Sequence, residues 1–180
     1  PGKPADVLWV GLNYERQEVR DYFMAMIREL VEDYDAEGLE LDFLRTPAIC
    51  EPGASQDTID VISAWIGDIR ALTQKKAEET GRPYPLGLRI PAALGALRTI
   101  GLDVLTLVED GLVDFLSFSN YMQTGWDLPL DELRRQVGPS VALYGNVESG
   151  LNGLPVCRPD EVEEIEQPQL DAAPRKGALM

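Results

Sequence analysis

The chain has 180 residues, a net charge of −15 and no histidine. That length allows one domain with a real core. The charge disfavours nucleic acid and anionic membrane surfaces as partners, since both require cationic contacts. The missing imidazole excludes Ser-His-Asp and Cys-His catalysis and histidine metal sites, leaving acid–base work to Asp, Glu, Tyr, Lys or Cys.

The chain starts loosely over Pro1 to Asp6, and Val7 to Tyr14 reads as a strand or an extended lead-in. Glu15 to Tyr34 predicts a strong helix. Val19, Tyr22, Phe23, Met26, Ile27, Leu30 and Val31 recur at helical spacing in one apolar stripe, and Glu15 and Glu18 suit the positive end of the helix dipole. A turn through Gly38 leads into Leu39-Glu40-Leu41-Asp42-Phe43-Leu44-Arg45, a strand by its period of two. Leu39, Leu41 and Phe43 take one face, and Glu40 and Asp42 the other. A strand so apolar outside its acids is expected inside a sheet, covered on both faces. The carboxylates should sit about 7 Å apart. Buried acids need partners. Glu40 and Asp42 therefore belong either to a structural ion pair with Arg45, Arg89 or a lysine, or to a site at the C-terminal mouth of a parallel strand.

Thr46 to Gln56, with two prolines and a glycine, is an irregular loop. Asp57 to Thr80 predicts the second helix. Ile59, Ile62, Trp65, Ile66, Ile69 and Leu72 form its buried face, Asp57 its cap, and Gly81 and Pro83 its end. Leu86 to Pro91 is a strand, Leu97 to Asp110 a helix interrupted by Gly101, and Val113 to Asn120 an apolar strand with a polar tip. A loop from Tyr121 to Asp127, a short helix from Leu130 to Val137 and a strand from Val141 to Glu148 follow. These elements make residues 1–153 a barrel-like domain. Residues 154–180 read as an acidic, then Pro- and Ala-rich tail, frayed or truncated. Cys50 and Cys157 lack CxxC spacing; a disulfide is open to them, but ordinary thiols are expected. No apolar run approaches the ~20 residues of a membrane helix, and the compartment stays undecided.

The alternation of helices and strands implies parallel strands joined by right-handed crossovers. Either a partial (β/α) barrel of four to five units or a small open doubly wound sheet satisfies it. The absence of a glycine-rich phosphate loop favours the barrel.

Polar residues cluster at the strand tips: Glu40 and Asp42, Arg89, Ser117, Ser119 and Asn120, then Asn146 and Glu148. With no imidazole, two carboxylates are the natural engine, Asp42 working with Glu148 or Glu40. Arg89 between them would hold one acid ionised and leave the other to donate. A gap of about 5–5.5 Å would mean retention, and one of about 6.5–9.5 Å inversion. Glu148 is equally explained as a solvent-facing strand end. Tyr121, Trp126 and Tyr144 offer flat faces for a sugar ring, or simple packing. Arg45, Arg89, Asn120 and Asn146 complete the expected substrate contacts.

Glu18-Val19-Arg20-Asp21-Tyr22, followed by Tyr34-Asp35-Ala36-Glu37-Gly38-Leu39-Glu40-Leu41-Asp42, resembles the glycosyl-hydrolase-like TIM-barrel families of family-10 type. Those families carry a "PEVRdy" helix start and a "YDvDGihlD" strand. The similarity runs from about residue 13 to 148, with Glu37 standing where the family has Asp. The resemblance implies a (β/α)₈ barrel, carbohydrate substrates and carboxylate catalysis. It matches Asp42 to the acid closing the strand motif, and Glu40 to the position two before it.

The expected activity is therefore hydrolysis of O-glycosidic bonds in an oligo- or polysaccharide, without a cofactor. A non-catalytic carbohydrate-binding barrel is the alternative. A carboxylate-bound Mg²⁺ or Ca²⁺ site ranks third, because Arg89 occupies the place where a cation would want an anion. An incomplete barrel would expose sheet edges and is expected to self-associate.

Overall fold

A computed structural model describes residues 11–44, 47–119 and 128–146. They form an alternating α/β fold on a four-stranded, all-parallel sheet. The elements run α1 (Gln17–Asp33), β1 (Leu39–Asp42), α2 (Gln56–Thr80), β2 (Leu86–Pro91), α3 (Leu94–Arg98), α4 (Val104–Glu109), β3 (Phe115–Ser119), α5 (Leu130–Val137) and β4 (Ala142–Gly145). The strands lie in chain order, β1-β2-β3-β4. Right-handed crossovers between sequential neighbours send every connecting helix to the same face. The result is a TIM-barrel-like arc of four strands, helices outside and a concave sheet face inside. The extra leading strand expected over Val7 to Tyr14 is absent from its described part, since Gly11 to Tyr14 is not strand. Val7 to Val10 and the expected tail lie outside the described residues.

The helix-covered face is the core. Leu41, Leu88, Leu116 and Leu143 stand in one register row across the sheet, with Ile90 and Phe118 paired in the row above. Leu86, Leu88, Ile90, Leu116 and Phe118 are fully shielded from solvent. From α2 all six expected residues are buried, and Ile62, Trp65, Ile66, Ile69 and Leu72 join this core. Their spacing suits a helix that rests on the sheet and is flanked on both sides. No helix among the described residues is long and apolar enough to cross a membrane.

Several expectations are corrected. Among the described residues β1 pairs with β2 alone, and Glu40 and Asp42 are exposed rather than covered. Both carboxylates reach solvent, which is why two acids are tolerated there. The α1 stripe is split: Ile27 and Val31 are buried, whereas Tyr22, Met26 and Leu30 are exposed.

Ser55, not Asp57, caps α2, its side chain accepting from the Thr58 N–H. Ser55 precedes the first helical residue, where a cap must sit. Gly81 closes the helix in the left-handed conformation, at φ 66°. Glu15 lies before α1 and accepts a 2.6 Å hydrogen bond from the Thr58 hydroxyl. That bond first, and one from Asn13, hold its carboxyl below the usual carboxylate range.

The third expected helix is two helices, α3 and α4. At Gly101 the backbone takes φ 93°, and a Cβ there would lie 2.6 Å from Ile62 Cδ1. Both facts require glycine and break the helical path.

Asp114 ties the lower ends of the strands together. Its carboxylate accepts from both terminal nitrogens of Arg70 on α2 and from the Leu86 N–H of β2. Its own N–H donates to Leu86 O, and its carbonyl accepts from Ala142 N–H of β4. Arg134 fixes the turn before β4 in the same way, donating to the carbonyls of Gly138 and Val141.

Candidate functional site on the concave face

Alternation along parallel strands puts two register rows on the face away from the helices. The lower row reads Glu40, Gly87, Phe115, Ala142, and the row above it Asp42, Arg89, Ser117, Tyr144. Continued alternation sets Ser119, fully buried, and Asn146, half-buried, on the same face. The Asn146 N–H donates to Phe118 O, which holds the end of β4 against β3.

The two acids have different environments. Asp42 uses both oxygens as acceptors: Oδ1 takes the Leu44 N–H at 2.9 Å, and Oδ2 takes Arg89 Nη1 at 3.2 Å. It therefore realises the structural ion pair foreseen with Arg89. With both side chains about a third exposed, the pair is worth roughly 0–1 kcal/mol. Its effect is to orient the guanidinium and the chain leaving β1.

Glu40 reaches across β2 instead. Its Oε1 accepts the Ser117 hydroxyl of β3 at 2.5 Å. Two strand spacings separate β1 from β3, about 9.6 Å. Gly87, on the strand between, has no side chain. The Phe115 ring occupies the same gap, and a Cβ on Gly87 would lie 2.1 Å from that ring. Phe115 in turn meets Tyr144 edge to face, with ring centroids 5.7 Å apart at 85°. Tyr144 is 40 % exposed. This face thus carries an anchored, solvent-facing carboxylate next to Gly87, with the Phe115 ring over that glycine and Tyr144 edge-on beyond it.

Of the expected site residues, the structure brings together Glu40, Asp42, Arg89 and Asn146 on one face. Glu148, Arg45, Asn120, Tyr121 and Trp126 lie outside the described residues. Phe115 and Gly87 were not foreseen. A glycine inside an otherwise apolar strand was the available signal, since it marks close approach of another group. Among the described residues no three carboxylates or thiols gather into a metal-holding group.

A second hollow, of about 430 Å³, opens beside the loop after β1 and is lined by Asn13, Cys50, Glu51 and their neighbours. Cys50 is a free, buried thiol. Burial pushes it up to about 11, and the Glu15 and Glu51 carboxylates add to the effect. The thiolate a nucleophile needs is therefore scarce near neutrality. The folded protein holds a proton that the unfolded chain releases near pH 9, so this group's contribution to stability is intact below pH 9 and is lost as pH rises towards 11. Urea midpoints should fall across that window, and Cys50→Ala should flatten the fall. The slope that remains belongs to Tyr14 and Tyr84, whose hydroxyls burial also raises. An unchanged slope in Cys50→Ala would refute the assignment.

No family model matches the chain, and no curated protein does. A solved structure that does match is a rubisco-like protein from Burkholderia fungorum, with a TM-score of 0.42 and 20 % sequence identity. The match covers 76 % of this chain and 28 % of that one, so the chain spans less than a third of that protein's length. The expectation of a glycoside hydrolase is corrected here. None of these matches supports glycoside hydrolysis or family 10, the matching structure being a rubisco-like protein. What holds of the resemblance is its coarse part, the barrel-like α/β architecture.

Proposed function

We propose that the concave face binds a small organic cation, an ammonium group on an apolar body. The observation that carries this reading is the bond from Ser117 to Glu40 above Gly87. It fixes an exposed carboxylate next to the Phe115–Tyr144 pair. A carboxylate supplies the counter-charge, and aromatic faces attract cations by a further ~0.5–2 kcal/mol. The net charge of −15 raises the local concentration of cations over anions. Arg89, held by Asp42, sits in the row above and sets the polarity of that end.

Calorimetric titration with benzylammonium, an ammonium on a flat apolar ring, tests the reading. Binding should weaken at least about tenfold in Glu40→Gln. Glu40 is exposed, so that variant should keep its fold. Glu78→Gln, an equally exposed change on α2, should bind like the parent. Equal weakening by both variants would show only a general charge effect. Binding of a neutral oligosaccharide in place of the amine would overturn the proposal.

A further inference from the structure

The outer flank of α1 carries large apolar side chains in the open. Tyr22, Met26, Leu30 and Tyr34 are 62 %, 45 %, 45 % and 55 % exposed. Tyr22, Met26 and Leu30 stand four residues apart, so they form one strip that drifts by only ~40° per step around the helix, and Tyr34 follows as its extended C-cap.

The strip is not the flank used by α2. Gln17, Arg20 and Met24 of α1 line a groove with Val61 and Trp65 of α2. On the helical wheel Arg20 falls between the buried Ile27 and Val31, and Met24 and Gln17 lie beyond them, on the side away from the strip. α2 leads from β1 to β2, so the exposed strip lies towards the side of β1 that no described strand pairs.

The border of the strip decides its occupant. Glu18 and Glu29 run along its outer edge, Asp33 stands within it near the C-terminal end, and all three are exposed, whereas Arg20 and Arg28 point to other sides of the helix. A second copy lying antiparallel on this flank would set Glu18 of one helix against Asp33 of the other, in a chain already at −15. Like charges so placed oppose that pairing.

We propose that this flank of α1 docks an amphipathic helix of another chain, one whose apolar stripe is bordered by Lys or Arg. The mode is helix against helix, with anchors at the i, i+4 and i+8 positions of α1.

A dye-labelled helical peptide with one Leu face and one Lys face serves as the probe, against the whole chain by fluorescence anisotropy. The Lys peptide should bind, and the same peptide with Glu in place of Lys should not. Met26→Gln with Leu30→Gln should weaken the Lys peptide at least about tenfold, and Tyr22→Gln should do so independently. These positions are exposed, and circular dichroism checks that the helix survives. Failure of the Lys peptide to bind overturns the proposal. So does equal binding to the parent and the double variant, which would be attraction to net charge alone. A dimer seen by light scattering and dissolved by the double variant would also overturn it, assigning the strip to a second copy.

Discussion

Asp114→Ala should lower the stability of the protein by about 2–4 kcal/mol, measured by urea unfolding. Breaking a fully buried ion pair costs about 3–5 kcal/mol. Here the Arg70 side chain is 17 % exposed and that of Asp114 37 %, so water returns part of the loss. The variant strands a mostly buried guanidinium on α2 and removes the acceptor of the Leu86 N–H at the start of β2. Either defect alone is felt in a domain whose whole stability is of order 5–15 kcal/mol. Asp114→Asn keeps an acceptor for Leu86 but not the charge, and should lose less. A loss under about 1 kcal/mol in Asp114→Ala would mean that the carboxylate is not what joins α2 to the sheet.

Gly87→Ala is the second large effect. The added Cβ would meet the Phe115 ring at 2.1 Å, so the ring must leave the gap over β2. Overpacking of this kind costs about 1–3 kcal/mol. The ring's contact with Tyr144 and its place beside Glu40 should go with it, so benzylammonium binding should weaken as well. A double-mutant cycle isolates the cause. In a Phe115→Ala background the same glycine change should cost far less, because nothing is left to collide with. Equal cost in both backgrounds would place the damage in the backbone of β2.

The sequence made most of the architecture legible, and the reason differs by element. In α2 the spacing of Ile59, Ile62, Trp65, Ile66, Ile69 and Leu72 was sufficient, because all of them found partners. In α1 the same kind of spacing over-predicted burial. Periodicity shows which residues share a flank, but not whether anything covers it, and Tyr22, Met26 and Leu30 are exposed. The break at Gly101 was visible as a glycine. Its force comes from Ile62 and Cys50, which approach from distant parts of the chain.

The site was legible as a set of strand tips and not as a geometry. Glu40 and Asp42 look equivalent in a strand of period two. Their difference comes from Ser117, 77 residues away from Glu40, and from Arg89, 47 residues away from Asp42. No local pattern encodes that choice of partner.

The chain-order sheet has a consequence for assembly. Among the described residues each strand pairs with the one that leaves the ribosome next, so none of these strands must be threaded between two earlier ones. Growth can proceed from β1 outward in the direction of synthesis, each addition closing a loop of only a few tens of residues. Removing β4 should leave the pairing of β1, β2 and β3 in place.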